Sequence, residues 1–598
     1  MILIFGGTTE GRLAVKTLDE GEGPYFYSTR GSGQEIECSH GKHICGAMTT
    51  EEMIEFCRSH DIKLIIDAAH PFASRLHDSI YHTGRTLELP VIRFERLYPP
   101  AVYDKIEMCD SFENASEDMK RKGVRRLLAL TGVQTIDKLK LYWEFNETFF
   151  RILNRRDSLN KAIQTGFPAD HLVYYEKDNI DYLIDNLHPD AILTKESGAS
   201  GGYFEKIEAA KRARIDIFVI RRPKLPENFI VVDGCHGLRF EIERIIPDFY
   251  SLHIGFTTGS CATAAAKAAL LALLTGEKIE RVKFKIPDGE TLNMGIESIA
   301  VTSGSATATV IKDAGDDPDV THNSRISATV AFAAHEGIRF HRGEGIGVVT
   351  LPGLGLPVGE AAINPIPRKM IISELTTLYK GGLDITISLE NGAALASKTF
   401  NPRVGVEGGV SIIGTSGIVR PFSHEAFLES IRREMNVAVA NGCSPIVVNS
   451  GGKSERYMKA LFPSLPQQAF IHYGNAIGET LLIARELRVP YLVIGIMLGK
   501  GVKLAEGHMD THSHKVTINK EFIKSLLIES GCSWEAVKVI DNLTLARELP
   551  SLLSSDDCEL LFPKLLNLCR ERCTEFFPSK LDMALIADSG EILTKTWI

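Results

Sequence analysis

The chain has 598 residues, a length at which two or more domains are expected in place of one hydrophobic core. Apolar residues make up 44% and charged residues 24%, which is ordinary for folded globular protein and excludes a disordered or fibrous class. The net charge of -9 and the lack of a long Lys/Arg run make nucleic acid a poor partner and a small-molecule substrate the better expectation.

The apolar segments predict a cytoplasmic protein without a membrane span. Residues 1–5 form a short apolar run without a basic lead, so they indicate a buried strand in place of a signal peptide. The alanine-rich stretch 262–274 is interrupted by Lys267 and is too short to cross a bilayer. The 11 cysteines are scattered without a CxxC pair, which favours reduced thiols.

The first 223 residues alternate strand-like and helix-like segments. β-Rich runs occur at 1–5, 25–28, 64–68, 91–94, 126–130, 149–153, 191–194 and 215–220. Helical spacing occurs at 10–20, 51–60, 74–85, 178–186 and 204–214. This rhythm predicts an α/β fold with parallel sheets, built as two doubly wound Rossmann-like lobes that meet near residues 95–125.

A glycine loop follows the first strand and opens a helix. Its candidate cofactor-binding residues are Gly6, Gly7, Thr8, Thr9 and Gly11. Thr8 stands where GxGxxG has its second glycine, so dinucleotide binding and a plain tight turn both remain open. The second strand ends in Thr29 and Arg30 without an acidic residue, which favours NADPH over NADH as the cofactor.

Two further strand ends carry polar residues. His70 in DAAHPFA could donate a proton or could simply cap its strand. Residues 194–202, TKESGASGG, form either a second anion cradle or an ordinary flexible loop. The candidates in this loop are Lys195 for proton delivery and Ser197, Gly198 and Gly201 for the cofactor.

These blocks together resemble the precorrin-6A reductase family along residues 1 to about 250. The resemblance rests on GGTTEGR, DAAHPFA, residues 151–153, TKESGASGG with 205–207, and residues 219–223. It implies hydride transfer from NADPH or NADH to a macrocycle double bond without a bound metal, with the proton supplied by His70, Lys195 or water. Where the family pattern has Thr, this chain has Ala69. The macrocycle's carboxylates imply basic anchors, for which Arg151, Arg221 and Arg222 are candidates unless they are surface charges.

The α/β rhythm breaks over residues 224–255, which places a domain boundary near 250 and gives domains 1–250 and 251–598. Thr258, Gly259 and Ser260 open an alanine-rich helix, as an anion site or as an ordinary cap. Cys261 lacks an identifiable partner base and is interpreted as structural. An acidic loop contains Asp313, Asp316 and Asp317, which could hold a cation or a sulfonium or form a solvated turn.

The later segments predict an α+β region followed by an α/β lobe. Glycine-rich blocks occur at 343–347, 351–355 and 408–417, and strand–glycine–helix units at 446–452, 473–479 and 491–505. The second unit supplies the cofactor candidates Gly474, Asn475 and Gly478. A zinc site built from His508, Asp510, His512 and His514 is the weaker interpretation of that segment, and we predict no metal.

Residues 253 to about 598 resemble the cobalt-precorrin-5B C1-methyltransferase family. The blocks are TTGSCATAAAKAA, KDAGDDPDVTH, NPIPRKM, SIIGTSGIVRP, GNAIGE and GKGVKLAEG with THSHK. The resemblance implies methyl transfer from S-adenosylmethionine to a ring carbon, giving the compound that the first half would reduce. Arg368 and Lys503 are the candidate substrate anchors in this half, unless they are surface charges.

Two alternatives to the bifunctional enzyme remain open. One is a small-molecule kinase fused to a dehydrogenase, although the sequence has no GxxxxGK[ST] loop. The other is a non-catalytic tetrapyrrole carrier with degenerate cofactor loops. Composition leaves assembly as a homo-oligomer undecided.

Overall fold

The computed structural model describes residues 1–31, 36–98, 102–176, 180–512 and 518–597. The chain divides into two compact units. Unit 1 consists of Met1–Ser251 with Gly289–Leu292, and unit 2 of Leu252–Asp288 with Asn293–Ile598. Each unit is described by itself below.

Unit 1 alternates strands and helices. Its strands are β1 (Ile2–Phe5), β2 (Tyr25–Thr29), β3 (Gly41–Cys45), β4 (Leu64–Asp67), β5 (Val91–Phe94), β6 (Ile106–Cys109), β7 (Arg126–Ala129), β8 (Glu147–Ile152), β9 (Leu172–Tyr174), β10 (Ala191–Lys195), β11 (Asp216–Ile220) and β12 (Ile230–Val232). Its helices are α1 (Thr9–Leu18), α2 (Thr50–Ser59), α3 (Ser74–Leu87), α4 (Phe112–Arg121), α5 (Lys140–Trp143), α6 (Arg156–Gln164), α7 (Ile180–Leu187), α8 (Tyr203–Ala213) and α9 (Cys235–Ile245).

The strands of unit 1 form two six-stranded parallel sheets, in the orders β12-β5-β4-β1-β2-β3 and β6-β11-β10-β7-β8-β9. Both faces are covered, because Ile2 and Ile4 of β1 enter one hydrophobic core while Leu3 and Phe5 enter another. Apolar side chains on both faces of the strands are what a buried parallel sheet requires. The α/β fold with doubly wound lobes is therefore confirmed.

Several elements of unit 1 differ from the sequence-based expectation. Strands β3, β6, β9 and β12 were not predicted, and each lies at an edge of its sheet. Helix α9 (Cys235–Ile245) lies within the stretch 224–255, where the sequence shows no α/β rhythm. The predicted helix 178–186 is observed as Ile180–Leu187, and its first two predicted residues lie outside the described part of the chain. Strand β12 follows the second lobe in the sequence but pairs with β5 in the first.

Unit 2 begins with a mixed α+β region and ends with a parallel sheet. Its strands are β13 (Gly255–Phe256), β14 (Arg281–Lys285), β15 (Thr291–Gly295), β16 (Ser298–Val301), β17 (Ser305–Ile311), β18 (Arg325–Ala333), β19 (Ile338–Arg342), β20 (Val348–Val349), β21 (Gly382–Leu389), β22 (Val406–Glu407), β23 (Ile418–Val419), β24 (Ile446–Asn449), β25 (Phe470–His472), β26 (Tyr491–Met497), β27 (Lys580–Ile586) and β28 (Ile592–Lys595). Its helices are α10 (Thr258–Thr275), α11 (Pro365–Leu378), α12 (Gly392–Ala396), α13 (His424–Ala440), α14 (Gly452–Leu461), α15 (Ile477–Glu486), α16 (Leu498–Glu506), α17 (Lys520–Glu529), α18 (Trp534–Val539), α19 (Leu549–Leu552) and α20 (Ser555–Thr574).

Two five-stranded sheets organise unit 2. The first, β16-β17-β18-β21-β19, is antiparallel except for the β19–β21 pair, and its buried face packs on α10. The second, β25-β24-β26-β27-β28, is parallel except for β28. The predicted succession of an α+β region and an α/β lobe is confirmed.

Helix α10 is the alanine-rich segment of the sequence, and it begins at Thr258 as predicted. It runs over 18 residues from the Thr257 cap to Gly276, and its mean hydropathy of 1.3 would suit a membrane span. However, 72% of that window is buried inside the unit, as in the core helix of a globular domain. Alanine side chains allow its close packing against α11 and β17. All 11 cysteines are free thiols.

Candidate active sites

Unit 1 contains a cavity of about 1160 Å³ at the carboxyl ends of strands from both sheets. Carboxyl ends of parallel strands are where ligands bind in open α/β folds. The first lobe supplies Gly6, Gly7, Thr8, Thr9, Arg12, Thr29, Arg30, Gly31, His70 and Arg96. The second lobe supplies Arg151, Leu153, Arg155, Tyr175, Glu176, Ile180, Asp181, Ala199, Ser200, Gly201, Gly202, Glu205, Lys206 and Arg212. Eight residues predicted from sequence are on this wall: Gly6, Gly7, Thr8, Thr9, Arg30, His70, Arg151 and Gly201.

The glycine loop is held against Tyr27 of β2. The Gly7 amide donates to the Tyr27 hydroxyl over 2.9 Å, and Gly7 has a φ of +90° that favours glycine. A Cβ on Gly6 would stand 2.3 Å from the Tyr27 ring, whereas a Cβ on Gly7 would point into open space. Thr8 caps α1 by accepting the Gly11 amide at 3.0 Å. The tight turn therefore leaves an open backbone surface facing the cavity, which suits a cofactor phosphate.

A buried charged cluster supports the loop that carries His70. Asp67 accepts a 2.9 Å hydrogen bond from Arg93, whose guanidinium also donates to the Ala69 carbonyl at 2.9 Å, and Asp67 pairs with His77 at 2.6 Å. Asp67 and Arg93 are both completely buried. Ala69, where the reductase family pattern has Thr, is buried and off the cavity wall. The loop is consequently rigid next to the cavity.

His70 lines the cavity as a neutral base. Its Nδ1 accepts the Phe72 amide at 3.1 Å, which places the ring proton on Nε2. Burial lowers the pKa of His70 to about 3, and the nearby charges of Arg96 and Lys195 add to this effect against that of Glu10. A neutral imidazole is a poor proton donor near pH 7.

The predicted segment 194–202 is hydrogen-bonded to the first lobe through Arg96, a residue that sequence analysis missed. Arg96 donates from Nη1 to the Ser197 carbonyl at 2.6 Å. Ser197 itself donates to the Gly201 carbonyl, and a Cβ on Gly198 would stand 2.6 Å from Arg96. Ser197 and Gly198 therefore shape this loop from behind the cavity wall.

Four more predicted residues of unit 1 are off the cavity wall. Gly11 lies under Tyr27, and Lys195 lies 5.3 Å over the Phe72 ring, where burial lowers its pKa to about 8. Arg221 pairs with the exposed carboxylate of Asp110 at 2.8 Å. Arg222 stacks 3.7 Å from the Tyr98 ring centroid and pairs with Glu95. Both arginines thus bind partners within the protein.

The cavity of unit 1 is strongly basic. Seven of its lining residues are Arg or Lys, against three acidic ones, Glu176, Asp181 and Glu205. Sequence reasoning identified only Arg30 and Arg151 among these cations. Planar guanidinium groups bind carboxylates and phosphates in two-point contacts, so the wall suits both a dinucleotide and a polycarboxylate ligand. The open glycine turn and the cations therefore fit a reduced nicotinamide dinucleotide.

In unit 2, several predicted residues meet at the carboxyl edge of the parallel sheet. The Gly474 carbonyl accepts Lys500 Nζ at 2.6 Å, and the Asn475 carbonyl accepts the Thr511 amide at 3.2 Å. The Gly478 amide donates to Met509, and Lys503 Nζ donates to Thr511. The predicted blocks 473–479 and 499–511 thus form one cluster next to β25 and β26.

Lys500, which sequence analysis did not select, is the central cation of this cluster. Burial lowers its pKa to about 8, helped by the charge of Lys503 and opposed by that of Asp510. Its ammonium also lies 5.8 Å over the Tyr473 ring. The lysine therefore fixes the βα turn at Gly474 by a charge-assisted hydrogen bond.

The segment 422–427 contacts both the acidic loop and this cluster. Asp317 accepts the Phe422 amide at 3.4 Å, and the Phe427 ring lies 3.0 Å from a Cβ built on Gly474. His424 pairs with Glu479 at 3.3 Å. Phe422 is 74% exposed and has a φ of +56°, a left-handed conformation that is costly for a bulky residue. Of the acidic residues, Asp316 pairs with His253 and Asp313 accepts the Gly315 amide.

The remaining predicted residues of unit 2 have partners of their own. The Gly259 amide donates to the Ile413 carbonyl, the Ser260 amide to Thr257, and the Thr258 hydroxyl contacts Ile413. Arg368 donates to the carbonyls of residues 361 and 363 and pairs with Glu360. The helix start and Arg368 therefore stabilise the fold of this region, and these two amides do not point at a ligand.

The residues weighed as nucleophile or metal ligands also have defined environments. Cys261 is fully buried, and burial raises the pKa of its thiol to about 12. His508 lies 3.7 Å from Glu506, while Asp510 accepts the His512 amide. His514 lies outside the described residues.

The cluster of unit 2 fits a methyl donor of nucleoside type. Among the described residues, the buried Asn449 Oδ1 at the end of β24 and the buried Thr511 Oγ1 have no hydrogen-bond partner. A Cβ on Gly451, Gly452 or Gly499, which follow β24 and β26, would meet no atom within 4 Å. Free buried acceptors and open glycine turns at one sheet edge are suited to a bound nucleoside.

The folds define a class: an α/β enzyme whose two units each carry glycine turns and polar side chains at the carboxyl ends of parallel strands. A sequence model described as "Precorrin-6x reductase CbiJ/CobK" matches residues 1–236. Models described as "CbiD" and "CbiD, C-terminal domain" match residues 247–421 and 510–597. The chain belongs to the cobalt-precorrin-5B C(1)-methyltransferase family and carries a precorrin reductase region before it.

Curated relatives support this membership. The cobalt-precorrin-5B C(1)-methyltransferase of Prosthecochloris aestuarii is 44% identical over 337 residues, covering 55% of this chain and 91% of its own. That of Thermus thermophilus is 43% identical, covering 53% of this chain and 86% of its own. Among solved structures, a "CobK precorrin-6A reductase" is similar at 18% identity and a TM-score of 0.35, over 41% of this chain and 97% of that one.

The chain is therefore a bifunctional enzyme of cobalamin biosynthesis that combines a methyltransferase with a reductase. Its cofactors are S-adenosylmethionine and NADPH. The comparisons support neither the kinase nor the carrier alternative.

Proposed function

We propose that residues 251–598 methylate C1 of cobalt-precorrin-5B and that residues 1–250 then reduce the product, cobalt-precorrin-6A, to cobalt-precorrin-6B. The observation that carries the proposal is that one chain matches two families, the reductase family over residues 1–236 and the methyltransferase family over residues 247–421. The product of the second domain is the substrate of the first, so a fusion joins consecutive steps.

In the reductase domain, the first lobe would hold NADPH. Gly6, Gly7, Thr8 and Thr9 face the cavity, and Gly11 shapes their turn. Arg30 at the end of β2 is placed to bind the 2′-phosphate that distinguishes NADPH from NADH. The loop with Ser197, Gly198 and Gly201 would close the cofactor site from the second lobe. When bound, the nicotinamide supplies a hydride.

The second lobe would hold the macrocycle. Arg151 and Arg155 lie on the cavity wall beside Leu153 and the half-exposed Tyr175 ring. Arginines would bind the peripheral carboxylates while the apolar side chains contact the flat ring. Arg221 and Arg222 remain weaker candidates for carboxylate binding, because they pair with Asp110 and Glu95.

In the methyltransferase domain, the cluster at Gly474, Asn475 and Gly478 would hold S-adenosylmethionine. Asp317 reaches this region through its contact with Phe422, whereas Asp313, Asp316, Thr258, Gly259 and Ser260 would act by shaping the surrounding loops. Lys503 would bind a substrate carboxylate, and Arg368 would support the fold of the segment 360–363. Methyl transfer from a sulfonium needs alignment and a dry pocket without a protein nucleophile, in keeping with the buried Cys261 thiol.

The experiment is to give purified full-length protein the macrocycle substrate and to follow mass and absorbance. With S-adenosylmethionine alone, we expect one added methyl group. With NADPH as well, we expect two further hydrogens and oxidation of the nicotinamide. Reduction without methylation, or neither reaction, would contradict the proposal. S-Adenosylhomocysteine, and not ATP, should raise the melting temperature, since a ligand stabilises the state it binds.

We also propose a cytoplasmic protein without a nucleic-acid or membrane partner. The net charge of -9 and the burial of α10 support this. We also propose that the intermediate passes directly between the two domains, and the fusion is the only support for this. If intact protein and a mixture of separated halves release equal amounts of intermediate, direct transfer is wrong. Light scattering of the same samples would show whether a homo-oligomer forms.

A further inference from the structure

Lys206 is a buried ammonium group on the wall of the reductase cavity. It lies in the first turns of α8 and is 7% exposed, yet it is among the residues that line the cavity. Its Nζ donates to the Gly201 carbonyl at 2.9 Å, and Gly201 also faces the cavity. The ammonium is thus held at the surface that a ligand of this cavity would contact.

The charges around Lys206 come from four elements and are mostly positive. Arg151 on β8, Lys195 on β10 and Arg96 after β5 disfavour a further positive charge, and Glu205 on α8 itself is the opposing carboxylate. Burial first, and then Arg151 and Lys195, lower the pKa of Lys206 to about 7. An acid whose pKa matches the working pH is efficient in proton transfer.

The two side chains expected from sequence to deliver a proton are less suitable. His70 faces the cavity, but its Nδ1 already accepts the Phe72 amide and three cations surround the ring. Lys195 is off the cavity wall, with its ammonium over the Phe72 ring. Lys206 combines a cavity position, a proton to give and a fixed orientation.

We propose that Lys206 is the proton donor of the reductase. The inference rests on the reductase activity proposed above. One macrocycle carbon receives the hydride, and the electron pair of the reduced double bond moves to the neighbouring atom. That atom forms a bond to hydrogen as an N–H bond of the Lys206 ammonium breaks. The macrocycle is reduced by two electrons, the nicotinamide is oxidised, and the neutral Lys206 amine recovers a proton from water.

The test compares Lys206→Ala and Lys206→Arg with Lys211→Ala, an exposed lysine on the same helix and away from the cavity. The full-length proteins are first labelled with acetic anhydride across pH 5–10, without substrate or cofactor. The labelling rate at each pH measures the fraction of each lysine that is a neutral amine. We expect the labelling of Lys206 to have its midpoint near pH 7, because burial and the neighbouring cations lower its pKa to about that value. NADPH affinity, from its fluorescence, should be unchanged in Lys211→Ala within about 3-fold, well under 1 kcal/mol. Lys206→Ala and Lys206→Arg change the contact with Gly201, so their rates are compared at NADPH concentrations that saturate each protein.

The rate of single-turnover reduction with saturating NADPH then measures the effect of each variant on proton transfer. We expect Lys206→Ala and Lys206→Arg to be slower by roughly 10²- to 10⁴-fold, because arginine keeps the charge but does not release its proton. Lys211→Ala should react like wild type. The wild-type rate should fall as pH rises through about 7, because the acid must be protonated. The Lys206→Ala profile should be flat, and ethylammonium should partly restore its rate.

The outcomes separate this inference from the proposed function. If wild-type protein does not oxidise NADPH with the macrocycle, the reductase proposal itself is wrong. If wild type reacts and Lys206→Ala reacts equally fast, only the role of Lys206 is overturned. The role is also overturned if the variants lose NADPH binding in proportion to rate, or if ethylammonium gives no rescue.

Discussion

Arg96 donates from Nε to the Glu10 carboxylate over 3.0 Å, and both side chains are less than a tenth exposed. Glu10 lies on α1, and Arg96 follows β5 in the same lobe. Each of them also reaches the second lobe, since Arg96 donates to the Ser197 carbonyl and Ser200 donates to Glu10. The pair therefore connects the two lobes beside the cavity.

Replacing Arg96 by Met should strongly destabilise unit 1. Removing one partner of a buried ion pair leaves an uncompensated charge, at a cost of about 3–5 kcal/mol. Urea dependence of hydrogen exchange in peptides of unit 1 measures the loss. Asp61→Asn, which breaks the exposed Asp61–Lys63 pair, should leave the stability almost unchanged. Equal losses in the two variants would contradict the structural importance of the buried pair.

The same pair gives unit 1 a defined pH dependence. Burial raises the pKa of Glu10, but the hydrogen bond from Ser200 and the charge of Arg96 outweigh it and hold the pKa below the usual glutamate value. A depressed pKa contributes stability above the pKa of the unfolded chain, and this contribution is lost as pH falls through the folded value. The difference in free energy of unfolding between wild type and Arg96→Met should therefore be largest at pH 7 and smaller under acid conditions.

Tyr27→Phe should weaken NADPH binding. The variant removes the hydroxyl that accepts the Gly7 amide while keeping the ring that packs on Gly6. A neutral hydrogen bond contributes about 0.5–1.5 kcal/mol, so we expect a loss of roughly 2- to 13-fold in affinity. Fluorescence titration with NADPH measures it.

Tyr25→Phe is the matched control. Tyr25 lies two residues earlier on β2, is equally buried, and donates to Asp19 away from the glycine loop. It should lose stability without losing NADPH affinity. A weaker affinity in Tyr25→Phe than in Tyr27→Phe would show that the glycine turn is not the cofactor site.

Local patterns predicted the central strands of unit 1 but not its edges. Strand β1 is apolar at every position and is followed by a glycine turn, so its sequence alone identifies it. Strand β3 is half-exposed and polar at Lys42 and His43, as edge strands often are. Strand β12 has only three residues and pairs with β5, more than 130 positions earlier in the chain. A pairing over such a separation has no local sequence signal.

Some residues of the candidate site could likewise be predicted from sequence and others could not. Gly6 and Gly7 could be recognised because a tight turn demands glycine wherever it is placed. Arg96 and Lys206 could not, because an arginine or a lysine in a sequence is most often a solvated charge, and only the packing of two lobes buries these two. Arg222 is a further case, since its stacking on Tyr98 depends on a contact that no motif encodes.

Lys500→Gln should weaken binding of the methyl donor. A hydrogen bond from a charged group contributes about 1.5–3 kcal/mol, so losing the contact to the Gly474 carbonyl should reduce affinity by roughly 10- to 150-fold. Calorimetry with S-adenosylhomocysteine measures it. Burial lowers the pKa of Lys500 to about 8, so wild-type affinity should fall as pH rises through that value. Lys524→Gln, which changes an ion-paired lysine on α17, should bind normally; an equal loss there would refute the assignment.

Removing Arg403 should strongly destabilise unit 2. Its Nη2 donates to Glu455 at 2.8 Å and to the Phe470 carbonyl at 2.6 Å, and its Nε lies 3.8 Å from Glu434. Both carboxylates are 8% exposed. Arg403→Met should therefore cost about 3–5 kcal/mol, because two buried carboxylates lose their shared cation.

The control and the pH response make this test specific. Arg432→Met breaks an ion pair with the half-exposed Glu486 and should cost under about 1 kcal/mol. Burial raises the pKa of Glu455, but the contacts with His472, Lys459 and Arg403 outweigh it and hold that pKa well below the usual value. Its contribution is thus present at neutral pH and lost in acid. Hydrogen exchange in peptides of α13 and α14 should show a difference in stability between wild type and Arg403→Met that is largest near pH 7. A difference that grows in acid would mean that Arg403 does not stabilise these carboxylates.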